Sequence, residues 1–210
     1  MGDMDGGGRA DGLVAELTAD HRLVGKLLAV LERPWGGGRD AHNTWRATAE
    51  CLTAAVVAHI AAEEEYLLPA VREYLADGHR FADSALTANR RTEELLTDIG
   101  NKIIEPEELG PDDRDTGCTA APGGLALVPA LAAELRRHAD EQERVLLPAL
   151  AVACPPGLID DLGAKVRAAK GIGPTRPHPA VPRNAVARKA LDPVVGLLDR
   201  LRDLVQGRRR

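Results

Sequence analysis

HIAAEEEYLLPA at residues 59–70 returns as HADEQERVLLPA at residues 138–149, with six of twelve letters unchanged and a histidine the same distance before Leu-Leu-Pro. Around the first copy, Leu52, Val56, His59, Glu63, Leu67 and Ala70 recur at spacings of three and four, which puts them on one stripe of a helix. Around the second, Val128, Leu131, Leu135, His138, Gln142, Val145 and Ala149 do the same. Each histidine therefore sits inside an apolar stripe. Pro69 removes a backbone donor and predicts a bend or a break in its helix.

The repeat extends upstream. DHRLVGKLLAVL at 20–31 aligns with ANRRTEELLTDI at 88–99, sharing the Arg and the Leu-Leu, so that His21 corresponds to Asn89. Val14, Leu17, His21, Val24, Leu28 and Leu31 form the stripe of a first helix, which RPWGGGRD at 33–40 ends. Leu86, Asn89, Glu93, Leu96 and Ile99 form that of a third. Four long amphipathic helices predict an all-α fold, an antiparallel up-down-up-down four-helix bundle over residues 13–170, with a short helix near 156–169 at its end.

Outside the bundle, the acidic, glycine-rich residues 1–12 predict a disordered leader without the features of a signal peptide. Residues 105–124 predict a long acidic connection. Residues 171–190 carry the proline-rich linker, and 191–210 predict a basic amphipathic helix beginning at Asp192-Pro193. That helix suits docking on the bundle, on a second copy or on another partner.

Aromatic poverty and Ala, Leu and Glu richness agree with helices rather than strands. Residues 1–170 carry 18 basic against 29 acidic side chains, net −11, and 171–210 carry 9 against 3, net +6. The body thus offers nucleic acid no electrostatic footprint. No apolar run reaches membrane-spanning length. Cys51, Cys118 and Cys154 are odd in number and far apart, which argues against a disulfide framework and for a reducing, cytoplasmic setting.

Six polar residues then fall on inward stripes of four helices: His21, His59 and Glu63 from the first half, Asn89, His138 and Gln142 from the second. Residues four apart differ by about 40° round a helix, so His59 and Glu63 can reach one centre, and imidazole with carboxylate suits iron, zinc or manganese. No histidine has Glu three residues before it, and HExxH is absent, which sets aside two other metal patterns. Glu143 points about 140° from His138 and needs a shift of helical register to face inward, while Glu93 and Glu141 also lie near the stripes. Glu93 or Glu141 could supply a further carboxylate but is equally well explained as solvated surface, and Glu64 and Glu65 read as a solvated face. The LLPA echo reads as core packing and a bend.

His21 in DHRLVGKLL, His59 and Glu63 in HIAAEEEYLLPA and His138 in HADEQERVLLPA resemble the hemerythrin-like HHE cation-binding family over roughly residues 13–152. That resemblance implies a four-helix bundle with non-haem iron at its centre, and a small diatomic gas or peroxide as ligand: oxygen, peroxide or nitric oxide, bound or sensed. The family pattern expects histidine at Asn89 and glutamate at Gln142. The metal set is therefore His21, His59, Glu63 and His138, with Gln142 and Asn89 as weak or absent ligands, and one or two iron ions held asymmetrically. Two other readings stand beside it: a metal-free bundle serving as an interaction scaffold, and iron-dependent turnover of peroxide or nitric oxide.

Overall fold

A computed structural model describes residues 12–35, 39–104 and 124–171. The leader apart from Gly12, the acidic connection at 105–123, the proline-rich linker from 172 and the basic C-terminal helix lie outside the described residues.

The described residues are helical, without strands among them. Helix α1 spans Leu13–Leu31, and Trp35 Nε1 donates to the carbonyl of Leu31 at its end (3.1 Å). Helix α2 spans Arg39–Ala62 and α3 Leu68–Tyr74, joined without a loop by a π turn, π1, at Glu63–Leu67. Helix α4 spans Gly78–Ile104. Helix α5, Val128–Glu141, passes through a second π turn, π2, at Gln142–Leu146 into α6, Leu147–Ala153. Helix α7, Leu158–Gly171, is the short helix expected near 156–169 after the bundle.

The π turns are the physical form of the expected break at proline. Pro69 and Pro148 have no N–H to give the carbonyls of Glu65 and Arg144, and a proline ring would crowd an α turn there. The helix widens instead: Leu68 N–H reaches back five residues to Glu63 O, and Leu147 N–H to Gln142 O. In the second half this corrects the expected stripe. Val145 is 51% exposed and Ala149 is exposed, whereas Leu146, Leu147 and Leu150 are buried, because the extra residue in π2 advances the inward face by one position.

Two apolar clusters fill the interior. One gathers Val24, Leu28 and Leu31 of α1, Trp45, Leu52 and Val56 of α2, Leu96 and Ile99 of α4, and Leu131 and Leu135 of α5. The other gathers Leu13 and Leu17, Leu67, Leu68 and Val71, Ala82, Leu146, Leu147 and Leu150, and Leu162 and Val166 of α7. Each fully buried leucine stabilises the fold by about 2 kcal/mol before entropic costs. His21, His59, Glu63, Asn89, His138 and Gln142 occupy the levels between the two clusters on their helices. The apolar material above and below closes the layer at both ends, and Glu63 at its centre is fully buried.

Helix α7 packs on α1, α2 and π1. Its approach is close because two glycines meet: a Cβ on Gly163 would lie 2.4 Å from the carbonyl carbon of Gly12. No described helix is long and apolar enough to cross a membrane.

Candidate metal centre

Helix α1 supplies His21, α2 supplies His59, π1 supplies Glu63 and α5 supplies His138, and one ligand atom from each lies within 4.8 Å of all the others. The three imidazoles form a near-equilateral triangle, with centroids 4.8, 5.7 and 5.9 Å apart and planes steeply inclined. Glu63, fully buried, is the hub. Its Oε1 accepts from His138 Nε2 at 2.9 Å and from the side-chain amide of Gln142, and stands 3.1 Å from His59 Nε2.

Two of the histidines are held from behind. His59 Nδ1 donates to Asp20 Oδ2 (3.2 Å), and Asp20 Oδ1 accepts from Lys170 Nζ (2.8 Å). His21 Nδ1 donates to Glu143 Oε1 (2.8 Å). With Nδ1 carrying the bonded proton, Nε2 of each ring is the atom turned into the cluster, the arrangement by which carboxylates orient metal-binding histidines.

Glu143 stays exposed, with its side chain 40% accessible, yet its carboxylate reaches His21 from the rim of the cluster. Glu141 pairs with Arg137 on the surface as expected (3.1 Å), Glu64 and Glu65 are exposed, and Glu93 is half-buried outside the group. Asp20 and Lys170 had no role in the sequence reading; the one available signal was an acid directly before His21.

Charge in the cluster follows from burial opposed by pairing. Burial would raise the Glu63 carboxyl, but the imidazoles of His59 and His138 outweigh it and hold it well below the usual carboxylate range. Burial would likewise depress His59, yet Glu63 and Asp20 lift it to about 9. Burial and the neighbouring His59 keep His21 below its ordinary value, only partly opposed by Glu143. Burial raises Asp20, and His59 and Lys170 more than reverse it.

Several buried polar atoms in this layer have no hydrogen-bond partner: His21 Nε2, His59 Nε2, Glu63 Oε2, Asn89 Nδ2 and Gln142 Oε1. Leaving such atoms unsatisfied costs about 1–3 kcal/mol each. A cation among the imidazole nitrogens and Glu63 would satisfy the first three together, so the residues present fit a metal ion; the group is able to hold one. The remaining two expected positions behave differently. Gln142 turns its amide N–H to Glu63, and Asn89 is buried on α4 with its Nδ2 unpaired. Beside them, a cavity of about 30 Å³ is lined by Ala88, His138, Gln142 and apolar side chains including Phe81 and Val145.

No curated protein and no solved structure matches the chain. Over residues 2–71, which carry His21, His59 and Glu63 but not His138, the chain matches the family model described as the hemerythrin HHE cation binding domain, the family its own histidines and glutamate resemble.

Proposed function

We infer that this protein is a metal-binding bundle that holds non-haem iron through His21, His59, Glu63 and His138, and binds or senses oxygen, peroxide or nitric oxide there. The observation that carries this reading is the convergence of three imidazoles and one fully buried carboxylate within 4.8 Å. An antiparallel up-down-up-down bundle accommodates it: α1 and α4 run from the cluster of Leu13 toward that of Leu31, while α2–π1–α3 and α5–π2–α6 run back. Reduced iron, when bound, would supply electrons to the small ligand.

The chain's own residues define an asymmetric site. Glu63 provides the single inward carboxylate, and Gln142 donates to it where an acid would repel it. Asp20 and Glu143 orient the His59 and His21 rings. Four protein ligands at most leave room for a small molecule, and the cavity beside His138 and Gln142 is of the size of one or two waters. That geometry supports one firmly held ion over two.

The test is metal content after anaerobic loading with ferrous iron. About one ion per chain, lost in His59→Ala, is expected. Two tightly held ions would refute the asymmetry, and no iron in the unaltered protein would refute the function.

A further inference from the structure

We propose that Lys170, on the fifth rod of the fold, is a positioning residue for the metal centre, acting through Asp20 on His59; the proposal rests on the metal-binding reading given above. The chain of contacts is continuous. Lys170 Nζ donates to Asp20 Oδ1 at 2.8 Å, Asp20 Oδ2 accepts from His59 Nδ1 at 3.2 Å, and His59 Nε2 stands 3.1 Å from Glu63.

Each link has a division of labour. Asp20 commits one oxygen to the ammonium and the other to the imidazole, so the lysine fixes which way the carboxylate is turned. Lys170 is itself fixed, for it also donates to the backbone carbonyl of Glu16 (3.3 Å) and lies 3.5 Å from Glu16 Oε2. An ammonium has three donors, and three acceptors surround this one. Helix α7 cannot slide to break the set cheaply, because Leu162 and Val166 are sunk in the apolar cluster and Gly163 rests on Gly12.

The internal repeat isolates this device to one half of the molecule. Asp20 aligns with Ala88, so the corresponding position in the second half carries no carboxylate, and Ala88 lines the cavity beside His138 instead. His59 is thus the histidine whose ring is clamped on both sides, with Glu63 in front and Asp20 behind. Helix α7, which contributes no ligand, governs the most constrained one. Such outer partners typically change metal affinity 10- to 100-fold.

Removing the ammonium also removes a positive charge near the cation, which acts in the opposite direction. Affinity is therefore compared at about 1 M salt, where the Debye length falls to about 3 Å. Two readouts are taken on Lys170→Met, Lys170→Arg and Arg167→Met. The last breaks the 2.8 Å pair between Arg167, on the same helix as Lys170, and Glu16 of α1.

In the metal-free protein, the His59 Nδ1 proton is observed by NMR. It should be sharp and slow to exchange in the unaltered chain, in Lys170→Arg and in Arg167→Met, and should broaden into water in Lys170→Met. Cobalt(II) affinity, read from its visible absorption, should fall about tenfold in Lys170→Met and hold within about twofold in the other two. An unchanged Nδ1 proton in Lys170→Met overturns the proposal, as does an equal loss in Arg167→Met, which would make α7 docking the cause. Should the unaltered protein take up no cobalt while the Nδ1 proton responds as stated, the metal reading fails and the hold of Lys170 on His59 stands.

Discussion

Replacing Glu63 by Gln keeps the shape of the hub and removes its charge, and the consequence should be legible in how stability depends on pH. In the metal-free protein His59 is lifted from 6.5 to about 9, with Glu63 the strongest of the groups that lift it. At about 1.4 kcal/mol for each tenfold change in proton affinity, that amounts to about 3 kcal/mol. Because the folded state binds this proton more tightly than the unfolded one, the stabilisation is complete below about 6.5 and disappears as pH rises through about 9. His21, held low by burial, acts with the opposite sign and only below its ordinary value, outside that window. Urea denaturation of chelator-treated protein at intervals from pH 6.5 to pH 9.5 measures the effect. The unaltered chain should lose about 3 kcal/mol across the interval, and Glu63→Gln less than half of that, since Asp20 remains behind His59. Parallel profiles for the two proteins would refute the placement of an imidazolium against a buried carboxylate.

Gln142→Glu should lower the stability of the metal-free protein by about 3 kcal/mol, by setting a second buried carboxylate against Glu63, and excess ferrous iron should restore it with a second ion per chain. Denaturation with and without iron checks both. The register of π2 is tested by a pair of substitutions in adjacent positions: Val145→Asp should change stability by less than about 0.5 kcal/mol, and Leu146→Ala should cost about 3 kcal/mol. Gly163→Ala should cost about 1–3 kcal/mol and lower the urea midpoint, because its methyl group would press on the backbone of Gly12 and lift α7.

Most of the site could be seen in the letters because the repeat displays its own exceptions. Spacing alone put His21, His59, Glu63 and His138 on inward faces, and the structure brings those four together. What spacing could not show was anything that depends on a change of helical pitch. A fixed 100° per residue sends Val145 inward, and the wide turn ahead of Pro148 leaves it exposed and buries Leu146 and Leu147 instead. The information is present in the repeated LLPA, whose bend the sequence predicts without its form, since a proline deprives a carbonyl of its partner and the helix must widen or kink. Lys170 was illegible for a different reason. It lies 150 residues from Asp20, on a helix outside the repeat, and nothing local marks a lysine that will turn inward rather than to water.

A wide turn stores one surplus residue, and that makes the second half of the chain sensitive to length in a way the first helix is not. Excising a single residue between Gln142 and Leu146 would restore an ordinary pitch and swing everything downstream by about 100°. Leu147 and Leu150 would leave the interior, even though no ligand had been altered. Tolerance of deletions in this protein is thus set by the two prolines, which hold the count of residues as strictly as the histidines hold their chemistry.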